Sequence, residues 1–124
     1  NESLVAINDL AYAKYLLRKM NEAEKLIQRG LEIDRNLYVL WDTYGCIKLS
    51  QRRFDEAEIH LKRAIQLYDD DLRPHLHLAQ VYFNTQRYDE CREVMRRLSA
   101  SADTFVGRDR EEYDALAQAI ISLK

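Results

Sequence analysis

The chain has 124 residues, of which 47% are apolar and 32% charged, with 19 basic against 21 acidic side chains for a net charge of −2. That length makes one ordinary domain of roughly 100–200 residues, and that balance supports a packed core, which excludes a wholly disordered chain. The slight acidic excess argues against nucleic acid or an anionic membrane surface as partner, and no apolar run approaches the ~20 residues of a membrane-spanning helix.

Three Gly and one Pro are too few for the tight turns of a sandwich or barrel, while good helix formers abound. The expected class is all-α. Asn1 to Leu10 show neither the basic start nor the apolar stretch of a secretory signal, and a chain beginning at Asn1 reads as a piece of something longer. Cys46 and Cys91 form no disulfide framework and no CxxC motif, so both are expected as free buried thiols. A cytoplasmic setting is the favoured expectation.

In chain order, residues 4–37 read as a helical hairpin whose apolar and small positions are Ile7, Leu10, Ala11, Ala23, Ile27 and Gly30. Residues 38–71 repeat it. Trp41, Tyr44, Gly45 and Lys48 recur at three- and four-residue steps, as one helix face requires. A polar turn, Gln51-Arg52-Arg53, follows; Asp55 is expected as the N-cap of the second helix, and Ala57, Leu61, Ala64 and Ile65 continue its apolar stripe. Small residues at Gly45 and Ala57 allow the two helices to approach closely. Phe54 and Tyr88, placed just before second helices, would plug the ends of their hairpins. Asp69-Asp70-Asp71 lacks an EF-hand spacing and is expected to end one helix and cap the next. Residues 72–105 make a third copy. Ser99 to Asp103 and Gly107 mark a looser connection, after which Tyr113, Leu116, Ala117 and Ile120 return to helical spacing over about 109–123. That segment is either a terminal capping helix or a truncated fourth repeat.

The three copies keep a constant offset. One shift superimposes Asn21-Glu22-Ala23-Glu24 on Asp55-Glu56-Ala57-Glu58 and on Asp89-Glu90-Cys91-Arg92, and Met20 on Phe54 and Tyr88. This pattern resembles the tetratricopeptide repeat, W-x2-L-G-x2-Y followed by A-x3-F and a further Ala. The second copy matches with Trp41, Tyr44, Gly45, Ala57, Leu61 and Ala64. The third matches with Leu78, Ala79, Tyr82 and Met95, with Cys91 and Leu98 where Ala is usual. The terminal Pro is replaced by Arg35, Asp69 and Asp103.

The resemblance implies one domain over 1–124, a right-handed superhelical solenoid of antiparallel helix pairs whose first helices line a concave groove for a partner peptide. Mapped residue by residue, the groove positions include Asn8, Tyr12 and Tyr15, then Asp42, Cys46 and Leu49, then Leu76, Gln80, Phe83 and Asn84. Members that clamp a terminal carboxylate use Lys, Asn and Arg there; the matching positions here are Asn8 and Tyr12, Cys46, and Leu76 and Gln80, so an apolar anchor on the ligand is expected instead.

Leu4, Val5, Ile7 and Leu17 make the first helix more apolar than a solvent-facing cap, which points alternatively to the end of a longer array or to self-association. Elsewhere the chemistry is sparse. His75 and His77, two apart on a helix, point about 200° apart, poor geometry for shared metal ligation, and His60 stands alone. Arg52-Arg53 and Arg96-Arg97 read as solvated surface. No phosphate loop, HExxH or Ser/His/Asp set occurs. Neither an enzyme, a cofactor nor a metal is expected; the partner is a protein or peptide.

Overall fold

The computed structural model describes residues 3–123; Asn1, Glu2 and Lys124, at the ends of the expected 1–124 domain, lie outside the described residues. Among them run seven α-helices: α1 (Leu4–Leu16), α2 (Met20–Ile33), α3 (Tyr38–Ser50), α4 (Phe54–Leu67), α5 (Leu72–Asn84), α6 (Tyr88–Ser99) and α7 (Gly107–Ile121), with a 3-10 turn at Ala102–Thr104 between the last two. The all-α expectation holds, and α1/α2, α3/α4 and α5/α6 pack as antiparallel pairs. The chain forms two compact units, Asn1–Asp70 and Asp71–Lys124.

Each hairpin turns the same way, and the device is one that no glycine announces. Arg18, Arg52 and Gln86, equivalent positions of the three copies, adopt left-handed φ values of 66°, 60° and 63°. The amide of the following residue then reaches back five residues, Lys19 to the Lys14 carbonyl, Arg53 to Lys48 and Arg87 to Tyr82, each at 2.8–2.9 Å. The left-handed residues donate to the Tyr15, Leu49 and Phe83 carbonyls. This is the Schellman closure of a helix C-terminus, here without the usual Gly.

Because that closure delivers the chain straight into the next helix, α4 starts at Phe54, and Arg53 stands at its N-cap with no side-chain cap bond. Asp55 is therefore not the N-cap; with Glu56 it lies in the first turn, where its charge favours the helix dipole. Phe54 and Tyr88 are likewise the first helical residues rather than the residues before, and Tyr88 closes its hairpin against Phe83, ring centroids 5.6 Å apart. Asp71 does cap α5, accepting from the Arg73 amide at 3.0 Å.

The core of the first unit runs through Ala11, Ala23, Ile27, Leu31, Leu40 and Ile47. Ala57 of α4 is fully buried, and Gly45 of α3 lies close against α4: a Cβ built on Gly45 would stand 2.5 Å from two carbons of the Leu61 side chain. In the second unit Leu78, Ala79, Val81 and Tyr82 of α5, Cys91, Met95 and Leu98 of α6, Phe105 just after the 3-10 turn and Leu116 of α7 are buried. Cys46 and Cys91 are both buried thiols outside any disulfide, as expected; burial pushes the Cys91 thiol up to about 11, which keeps it protonated at neutral pH.

Candidate peptide-binding surface

On α1, Asn8, Tyr12 and Tyr15 follow one another at steps of four and three and so share a helix face. All three are half-buried, and the two tyrosine rings lie 5.5 Å apart at 34°. The Asn8 side-chain carbonyl is enclosed without a hydrogen-bond partner. On α3, which packs on α1, Asp42, Cys46 and Leu49 occupy the corresponding face one copy later. Asp42 and Leu49 are half-buried, whereas Cys46 is only 3% exposed. In the second unit the same register on α5 holds Leu76, Gln80 and Phe83, with Asn84 beside them. Leu76 is fully enclosed, Gln80 and Phe83 are half-buried, and exposed Asn84 donates to the Gln80 carbonyl at 2.7 Å. Cys46 and Leu76 thus stand as packing residues, and the accessible part of the set is polar and aromatic, with Leu49 as its aliphatic member. None of its members on α1 or α3 carries a positive charge.

Behind this face lies a polar knot that the spacing of apolar residues does not reveal. Lys48, on α3, has a side chain only 5% exposed, yet its ammonium is held by Glu24 of α2 at 3.0 Å and Glu56 of α4 at 3.5 Å. The Tyr44 hydroxyl donates to the same Glu24 oxygen at 3.3 Å, and Gln28 donates to the Tyr44 hydroxyl at 3.3 Å. His60 of α4 stacks flat on Tyr44, centroids 4.1 Å apart at 9°, with Trp41 5.5 Å away. The shift that aligns the copies would have found part of it, since Lys14–Glu22 at 3.1 Å is the same pair one copy earlier.

His60 makes this knot sensitive to pH. Its Nδ1 is buried without a hydrogen-bond partner, and burial, then the Lys48 charge, hold its pKa below the usual 6.5 against the opposite pull of Glu56 and Glu24. As pH falls through about 6.5 the unfolded chain takes up this proton before the folded one. The stability that His60 contributes is therefore complete above that pH and declines below it. The urea midpoint is expected to fall between about pH 7 and 5, and His60→Phe should flatten that part of the profile. Glu22 and Glu93, held low by Lys14 and by Arg96 with Arg97, act only below the usual carboxylate value of 4.5. An unchanged slope in the phenylalanine variant would remove His60 from the explanation.

Comparison with known proteins places this architecture. Residues 48–120, more than half of the chain, match the family described as Tetratricopeptide repeat. Mouse N-alpha-acetyltransferase 16, NatA auxiliary subunit, is 33% identical over 57 residues, which cover 46% of this chain and 7% of that protein; the human protein of the same name matches equally. Human mitochondrial tetratricopeptide repeat protein 19 is 29% identical over 99 residues, 68% of this chain and 26% of that protein. The chain therefore spans a small part of these relatives. Among solved structures, the Arabidopsis OM64 TPR domain superposes with a TM-score of 0.80 at 13% identity, over 95% of this chain and 93% of that one, a likeness of fold. A constant repeat register, antiparallel helix pairs and the matched family agree: the chain belongs to the tetratricopeptide repeat family.

Proposed function

We propose that this chain is a non-enzymatic interaction module that takes a partner peptide by apolar anchors on the first helices of its hairpins. Domains of this family are protein-interaction modules and typically non-catalytic. The observation that carries the finer reading is the register-matched face of α1 and α3. It offers the Tyr12/Tyr15 ring pair, Leu49 and the polar Asn8 and Asp42, with no lysine or arginine. Half-buried tyrosines supply large contact area at low entropic cost, and Asn8 can serve an extended backbone. On α5, Phe83 and Gln80 offer the same chemistry. An auxiliary-subunit relative fits a scaffolding role.

A displayed peptide library, followed by fluorescence titration of a selected peptide, tests this. Tyr15→Glu is expected to weaken binding about 30-fold or more, the loss of one hot-spot residue, with helicity unchanged; Phe83→Glu tests α5 in the same way. Equal affinity for wild type and both variants would remove the reading.

One observation favours a second reading, the end of a longer array. Tyr44 of α3 reaches back to Glu24 and Gln28 on the preceding α2. Its register mate Leu10 is 49% exposed, and Val5 and Leu17 are 60% and 65% exposed; of the apolar residues expected on this face, Ile7 is buried and Leu4 packs against the core. Mass that rises with concentration in light scattering would support self-association through that face.

A further inference from the structure

His77, unable to share a metal with His75, meets different partners once the chain is folded. It projects from α5 only 7% exposed, and the first turns of α7 bring Asp109 and Glu112 to it. These two are three residues apart, hence on one side of their helix. One ligand-capable atom from each of the three lies within 4.8 Å of the other two. Glu112 divides its oxygens: Oε2 accepts from the Arg108 guanidinium at 3.0 Å, while Oε1 faces His77 Nε2 at 3.7 Å. That separation is too long for a hydrogen bond. It is close to the spacing of about 3.4 Å between two donors that each sit about 2.1 Å from one tetrahedral ion.

We propose that His77, Asp109 and Glu112 form a binding site for a divalent transition-metal ion, with Zn2+ as the natural occupant. An imidazole nitrogen with two carboxylates suits zinc or its neighbours, whereas calcium and magnesium favour all-oxygen shells. The two carboxylates balance the ion's charge, and three protein ligands leave the fourth position for water. The ion would fasten α7, which follows the loose connection after α6, directly onto α5. The sequence conceals the site because its ligands lie 32 and 35 positions apart, outside any short motif.

The experiment is calorimetric titration of the EDTA-treated, dialysed chain with Zn2+, alongside Co2+ uptake read by visible absorption. Expected are one ion per chain, visible bands of a four-coordinate cobalt site, and a melting temperature that rises with Zn2+ and falls back with EDTA. Asp109→Asn and Glu112→Gln, both at half-buried positions, should each weaken binding about tenfold or more, and His77→Gln should abolish it, with far-UV circular dichroism checking that each variant is folded. If His77→Gln does not fold, the two carboxylate variants carry the test. No uptake by the wild-type chain, or uptake unchanged in both carboxylate variants, overturns the proposal.

Discussion

Gly45→Val is expected to lower stability to unfolding by about 3 kcal/mol, because there is no room for a side chain between α3 and α4. A Cβ at this position meets Leu61 Cγ and Cδ2, both at 2.5 Å, and Leu61 is itself fully enclosed, so it cannot swing into solvent. Replacing Gly in a helix normally gains up to about 1 kcal/mol in propensity, less for a β-branched residue, and inserting methyl groups into a filled core costs more than that. Leu61→Ala alone should cost about 2–5 kcal/mol by opening a cavity. The informative variant is the pair: in Gly45→Val/Leu61→Ala the valine occupies the space the leucine leaves. Urea denaturation should show the double variant more stable than the sum of the singles by about 1–3 kcal/mol. Strict additivity would mean that the two helices do not depend on this contact.

Glu24→Ala should cost about 3 kcal/mol, near the lower end for a buried pair that loses one partner. The Lys48 ammonium, on a side chain 5% exposed, would keep Glu56 as its carboxylate, at 3.5 Å, and the Tyr44 ring 5.5 Å away, and the Tyr44 hydroxyl would lose its acceptor. Lys48→Met should cost much less, since the Glu24 side chain is 21% exposed and can be served by water, and Glu56 keeps its ion pair with Arg53 at 3.0 Å. The double variant Glu24→Ala/Lys48→Met is therefore expected to be more stable than Glu24→Ala alone, an inversion that denaturant titration reads directly. A double variant no better than the single would show that the ammonium finds solvent without Glu24.

The repeat itself was legible because helix packing imposes the same demands on every copy. Ala11, Gly45 and Ala79 are small for one reason, and Ile27, Leu61 and Met95 are large for another. The reversals at Arg18, Arg52 and Gln86 were not legible, since the left-handed conformation is held there by backbone bonds to preceding carbonyls and no glycine marks it. Asp55 suits a cap by residue type, yet the Schellman closure sets the cap two residues earlier, at Arg53. Groove positions follow from helix periodicity, but exposure depends on what lies opposite, and that is why Cys46 and Leu76 turn out enclosed. The partners of Lys48 and His60 were not legible for a related reason. A charged or lone polar residue in an apolar stripe signals a partner without saying which, and here the partners come from three helices.

The most direct test of the interaction surface is amide chemical-shift mapping of the chain with a library-selected peptide bound. The account predicts perturbations centred on Asn8, Tyr12 and Tyr15 of α1 and on Asp42 and Leu49 of α3, with α2 and α4 little changed. Perturbations concentrated on α2, α4 or α6, with α1 and α3 silent, would contradict it.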